Sequence, residues 1–187
     1  MDEREAVLTA LDREVTLRDG ARVRVRPIRP DDAAGLVDLY ARLSAHTAYQ
    51  RFFSAMRRLP PDWAAFLANV DHRRRFALVA EAPDGGGLIA VARYEPAGEP
   101  GVVEVAFVVQ DDWQGRGLGT RLLADLLEAA RANGIERFRA WVLADNRRML
   151  DLLARFTDVT HRAIEQGVYR LEFGARPAGP RYRSVER

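Results

Sequence analysis

The chain contains no cysteine and no lysine. The first absence excludes disulfides, thiolate metal sites and a cysteine nucleophile. The second is offset by arginine. All 29 residues counted as Lys+Arg are arginine, set against 27 acids for a net charge of +2. Alanine, glycine and proline are also plentiful, so the bias reads as codon usage in a GC-rich genome. Long apolar runs are missing too, and none approaches the ~18–20 residues of a membrane span. The opening MDEREAVLTALDRE is charged and acidic, unlike a secretory signal, and fits the cytoplasm. The histidines His46, His72 and His161 share no ligand spacing, so no metal site is expected. Trp63, Trp113 and Trp141 read as packing residues rather than base-stacking ones. The near balance of charge argues against a nucleic-acid partner.

What remains suits one globular domain of 187 residues, 48% of them hydrophobic. Residues 1–14 read as an N-terminal extension able to form a short helix, and 15–174 as the domain. Residues 175–187 hold Gly, Pro and Arg with little to bury, and read as a disordered tail. Strand patterns fall at RVRVRPI (22–28), FALVAE (76–81), LIAVARY (88–94), VVEVAFVV (102–109), RFRAWVL and GVYRLEF. Pro30-Asp31-Asp32 opens a helix, because proline suits the first turn and acids suit the positive end of the helix dipole. HTAYQRFF adds a helical turn or two, and PPDWAAFLANV a third short helix. After position 117, Leu118, Leu122, Leu123, Leu126, Leu127 and Ala130 recur at helical spacing until Asn133-Gly134. The order is β-α-α-β-β-β-α-β-α-β, an α/β fold with a mixed sheet.

The stretch VVQDDWQGRGLGTR (108–121) places Gly115, Gly117 and Gly119 where a strand hands over to that long helix. A P-loop would need lysine after its last glycine. A dinucleotide fingerprint would need glycine at the sixth position, where Thr120 stands. Alternating glycines still let backbone N–H groups converge on an anion at a helix N-terminus. The plainer reading is a flexible turn, which needs only one glycine.

Gln114-Gly115-Arg116-Gly117-Leu118-Gly119 resembles the Q/R-x-x-G-x-G/A motif of GNAT-type N-acetyltransferases, in the same strand-to-helix setting. The resemblance implies that Gly115 to Thr120 (Gly115, Arg116, Gly117, Leu118, Gly119, Thr120), with Gln114, bind the pyrophosphate of acetyl-CoA. It implies that Phe107, Val108 and Val109 hold the pantetheine arm through their main chain, and that Asn146 contacts the cofactor. Arg116 and Arg121 would add side-chain contacts to phosphates. In the N-terminal half, RPIRP-D, LS…Y-RFF and D-x-x-x-x-x-ALVAE resemble bacterial Pat-type protein-lysine acetyltransferases over about residues 17–173. Many of those carry an added domain, for which this chain has no room.

Amide formation from acetyl-CoA needs a neutral amine, whereas a lysine amine with a pKa near 10.4 is almost wholly protonated at pH 7. A general base is therefore required. Glu104 interrupts an apolar strand and shares a face with Ala106 and Val108, where neighbours would desolvate it. By resemblance it is the base. Its plainer reading is a strand-end glutamate that reaches solvent. The family's usual tyrosine position holds Leu153, and Thr157-Asp158 replaces the usual Gly-Phe, so no general acid is assigned. Tyr169 is either a substitute acid or a packed strand residue. With no cysteine to carry the acyl group, direct attack in a ternary complex is favoured. Three functions follow: acetylation of a protein lysine, for which the resemblance suggests an acyl-CoA synthetase; acetylation of a small amine; or acyl-CoA binding without catalysis.

Overall fold

The computed structural model describes residues 3–54, 56 and 58–176. The expected tail from 177 onward lies outside the described residues. The strands are Arg13–Thr16 (β1), Arg22–Pro27 (β2), Phe76–Glu81 (β3), Leu88–Pro96 (β4), Val102–Val109 (β5), Arg137–Leu143 (β6), Thr157–Glu165 (β7) and Val168–Ala175 (β8). The helices are Glu3–Ala10 (α1), Ala33–Ala41 (α2), Ala45–Phe52 (α3), Pro61–Ala68 (α4), Leu118–Ala132 (α5) and Arg147–Phe156 (α6). Among the described residues the strands form one sheet in the order β1-β2-β3-β4-β5-β6-β8-β7. Every neighbouring pair is antiparallel except β5 with β6. No described helix is long and apolar enough to cross a membrane.

The central strands are apolar on both faces because both are covered. Phe76, Leu78 and Ala80 of β3 pack with Leu122, Leu123 and Leu126 of α5. Ala77 and Val79 of the same strand pack with Leu36, Leu39 and Leu67 of α2 and α4. Each such leucine contributes about 1.5–3 kcal/mol on full burial. In β5 the alternation sends Val103 and Val105 toward α5 and Val108 toward α2 and α4.

The mixed sheet is as expected, with additions. All three short helices between β2 and β3 form, one more than the expected order holds. Two strands were not expected, β1 and β7. β7 is an edge strand, bonded on one side to β8, and its register slips between Val159 and His161. An edge strand gains its order from the ladder rather than from burial, and a slip breaks the period of two. β8 extends through Ala175, the first residue assigned to the tail.

The residues that carry the N-terminal Pat-type resemblance act as structural locks. Arg26 of β2 is buried and forks onto Asp32, with Nη1 donating to Oδ2 at 2.8 Å and Nη2 to Oδ1 at 2.7 Å. It also donates to Glu81, the acid that ends β3. Asp32 further accepts the Arg29 N–H at 2.7 Å, closing the strand-to-helix corner. Asp71 caps the turn before β3 by accepting the N–H groups of Arg73, Arg74 and Arg75, each at 2.9 Å.

Burial works against ionisation of Asp32. The hydrogen bonds and charge of Arg26, with the Arg29 N–H, outweigh it and hold the carboxyl below its ordinary 3.8. Arg26 is raised in turn, chiefly by the hydrogen bond to Asp32. A depressed carboxyl stabilises the fold above its unfolded value, and that share is lost as pH falls through the native value. Asp32→Asn should therefore cost about 3 kcal/mol at pH 7, the lower end for breaking a buried pair, because Glu81 still faces Arg26. Its urea-unfolding free energy should also fall less steeply than wild type's below about pH 4. Equal stability at pH 7 would show that the fork is not a lock.

Candidate active site

Strands β5 and β6 pair only at Val102, Val103 and Glu104, opposite Arg137, Phe138 and Arg139. Beyond Glu104 they part, while β5 stays bonded to β4 and β6 to β8. The Gln110 N–H donates to Ile89 O at 2.8 Å, which sets the phase of the β4–β5 ladder. Main-chain groups of residues 104, 106 and 108 then face β4, and those of 105, 107 and 109 face the gap. Phe107 and Val109 thus present backbone to the opening, as expected, although the Val109 carbonyl accepts Gln114 Nε2 at 2.9 Å. Val108 departs from expectation: its main chain faces β4 and its side chain is buried in the α2–α4 core.

The gap continues into a cavity of about 750 Å³ between α3, the glycine loop and α6. Its lining includes Phe107, Val108, Val109, Gln114, Gly115, Gly117, Gly119, Thr120 and Asn146. Gly115 and Gly117 have φ of +77° and +91°, a left-handed conformation that favours glycine. Gly117 is the N-cap of α5 and supplies no side-chain cap. The helix's first-turn N–H groups are left for an anion. The two helices that flank the cavity with it are capped by side chains, α3 by Ser44 and α6 by Asn146. Asn146 Oδ1 accepts the Met149 N–H at 3.2 Å, so it orders α6 while lining the cavity. Gly119 differs from the other two. It is helical, and an added Cβ would meet only Leu152, at 3.8 Å. Nothing in the fold requires glycine there.

Gln114 braces the site. Its Nε2 donates to Thr47 Oγ1 at 3.2 Å and its Oε1 accepts Arg148 Nη1 at 2.9 Å, so it joins β5, α3 and α6. Asp111 anchors α3 to the same loop, accepting Ser44 N at 2.9 Å, Ser44 Oγ at 2.6 Å and Thr47 Oγ1 at 2.7 Å. Burial opposes its ionisation, but these donors prevail and hold its carboxyl below the usual range. No local pattern could reveal this anchor, because its partners are 64 to 67 positions away.

Two expected phosphate contacts are absent from the lining. Arg116 lies over the Trp113 ring at 4.7 Å and pairs with Asp19 at 3.3 Å. Arg121 is not part of the lining either, and Leu118 turns its side chain into the core. The arginines that do line the cavity are Arg18, Arg51, Arg147, Arg148 and Arg155, against Asp145 and Asp151. A cleft with this excess of positive charge suits a polyanionic ligand.

Glu104 lines a smaller pocket of about 50 Å³ that shares Gln50, Arg51, Phe107, Asn146 and Met149 with the large cavity. It shares its face with Val108, as expected, and stands opposite Glu95 of β4, which Arg93 neutralises. The expected desolvation is corrected: Glu104 is exposed in the free chain, because the strands part beside it and leave its end of β5 open. Trp141 is corrected as well. It is 40% exposed rather than packed, and its Nε1 donates to Glu104 Oε2 at 3.1 Å. Leu153 is fully buried in the main core and faces neither pocket. Tyr169 lines neither pocket and lies beneath the Arg162 guanidinium at 4.0 Å. It is the packed strand residue of its two readings.

Residues 42–157 match the model of the acetyltransferase (GNAT) family. The chain is 33% identical over 139 residues to an acetyltransferase of Pseudomonas aeruginosa, covering 73% of this chain and 75% of that protein. It is 35% identical over 142 residues to the acetyltransferase Pat of Mycolicibacterium smegmatis, covering 75% of this chain but only 42% of Pat. Among solved structures, the GNAT domain of PAT from S. lividans superposes with a TM-score of 0.80 at 39% identity, over 88% of this chain and 97% of that one. The matched span holds the parted strands, the uncapped glycine loop and α6, and on this agreement of sequence and geometry the chain belongs to the acetyltransferase (GNAT) family, enzymes that draw their acetyl group from acetyl-CoA.

Proposed function

We propose that the protein transfers the acetyl group of acetyl-CoA to the side-chain amine of a protein lysine, with Glu104 as general base. One observation carries this reading: the small pocket at Glu104 adjoins the large cationic cavity, with Gln50, Arg51, Phe107, Asn146 and Met149 lining both. The diphosphate rests on the uncapped N-terminus of α5, and the pantetheine arm bonds to the open edge of β5 at Phe107 and Val109. The thioester then lies where the two pockets meet. An ammonium entering past Phe53 and Trp141 gives a proton to Glu104, directly or through a water. The free amine attacks the thioester carbon, and an N–H group on the open edge of β5 steadies the oxyanion. The C–S bond breaks, and the departing thiolate takes up a proton from the attacking nitrogen or from water. Neither pocket is lined by a tyrosine among the described residues, so no phenolic acid is assigned to this step.

Glu104 stands exposed at the open end of β5, where an amine projecting from the surface of another protein can reach it. The similarity to the acetyltransferase Pat over three quarters of this chain points the same way.

Glu104→Gln tests the base. Turnover should fall by about 10²–10⁴-fold, the usual loss for a general base, with recovery above pH 9 as the amine deprotonates unaided. CoA affinity should stay near wild type. Glu104 is exposed and bonded only to Trp141 among the described residues, so melting temperature should hardly move. Undiminished kcat in this variant would remove Glu104 from the mechanism.

Gly119→Ala tests the donor site. Replacing a helical glycine should stabilise the fold by about 0.5–1 kcal/mol. The added methyl should nevertheless weaken CoA binding by about an order of magnitude, because the backbone can no longer approach the diphosphate. A calorimetric titration showing wild-type affinity would leave this glycine without a ligand role.

A lysine-free acetyltransferase cannot modify its own side-chain amines. Prolonged incubation with acetyl-CoA should add no more than one acetyl group, at the terminal amine, as read by intact mass. Several added groups would mean that the site acetylates something other than amines.

A further inference from the structure

The turn between β1 and β2 docks on the glycine loop. The Arg18 N–H donates to the Arg116 carbonyl at 3.1 Å, and Asp19 pairs with the Arg116 guanidinium at 3.3 Å. These contacts hold Arg116 outside the cavity and bring Arg18 to its lining. A Cβ placed on Gly117 would lie 3.2 Å from both Cγ and Nε of Arg18, so the arginine stem crosses the mouth of the loop. The Arg18 side chain is exposed and forms no ion pair among the described residues, in a chain where many arginines do. A cation held at an uncapped helix N-terminus adds like charge to like, an arrangement that costs free energy unless an anion comes between them.

We infer that Arg18 is a diphosphate ligand for the acyl donor, supplied to the glycine loop by the β1–β2 turn in place of Arg116. The inference rests on the acetyl-CoA reading above and adds a residue from 99 positions before the loop's second glycine. The fork of the guanidinium suits two phosphate oxygens, and the exposed stem lets it close over the ligand after the diphosphate meets the helix N-terminus. The loop then needs glycine at 117 for two reasons, its φ of +91° and the stem that crosses it.

Calorimetric titration of the full chain with CoA and with dephospho-CoA, which keeps the diphosphate but lacks the 3′-phosphate, tests the assignment. Arg18→Ala should weaken both ligands about tenfold and leave the melting temperature of the free protein unchanged. Arg18→Met keeps the stem over Gly117 without the charge and should lose as much as Arg18→Ala. Arg18→Lys should recover part of the loss. Wild-type affinity in Arg18→Ala would overturn the inference. So would a loss confined to CoA, which would move the contact to the 3′-phosphate. Wild-type affinity in Arg18→Met would reduce Arg18 to a packing residue. Failure of the wild-type protein to bind either ligand would instead refute the acetyl-CoA reading itself.

Discussion

Strands β5 and β6 run together for three residue pairs and then separate, and every part of the site depends on that separation. β5 is bonded along its length to β4, and β6 along its length to β8, so each strand follows its own half of the sheet. Backbone groups that a continuous sheet would pair are left at the edge of β5. An unpaired edge is a template for an extended partner, and a long amide-bearing arm can take the place of the missing strand. The same separation uncovers Glu104 at the last paired position. The carboxylate therefore stands exposed where the two strands part.

The gap is kept open by a polar frame. Gln114 ties the end of β5 to α3 and α6, and Asp111 ties the start of α3 to the loop below. Asn146 orders the first turn of α6. By contrast, the start of α5 has no side-chain cap. The capped starts of α3 and α6 position the walls, and the uncapped start of α5 faces the cavity.

Arginine takes every cationic role in this lysine-free chain, and its surroundings decide which. Arg26 is buried between Asp32 and Glu81 and fixes a corner of the fold. Arg93 neutralises Glu95 beside the smaller pocket. Arg18, Arg147 and Arg155 line the large cavity with no ion pair among the described residues. Guanidinium is well suited to this division, since the same planar fork matches a carboxylate inside the protein or a phosphate at its surface. The N-terminal motifs behave similarly: Arg26, Asp32, Asp71 and Glu81 report a shared scaffold rather than a shared acceptor.

Much of this protein was legible in its residues. The short apolar runs FALVAE and VVEVAFVV and the helical spacing of the leucines after Gly117 are local signals, so the central strands and α5 could be placed without coordinates. The glycine loop was equally plain, because left-handed backbone and close approach each demand glycine. Glu104 stood out as the one charge in an apolar strand. β7 was not legible, since an edge strand with a slipped register leaves no clean period. Nor was the presence of Arg18 rather than Arg116 in the cavity lining, the exposure of Glu104 or its bond to Trp141. The sequence by itself determined which segments are strands and helices, and where an anion would meet the chain, because those properties arise within a few residues. Only the tertiary structure decided which arginines line the cavity and how open the carboxylate stands, because both depend on groups far apart in the chain and on where two strands stop pairing.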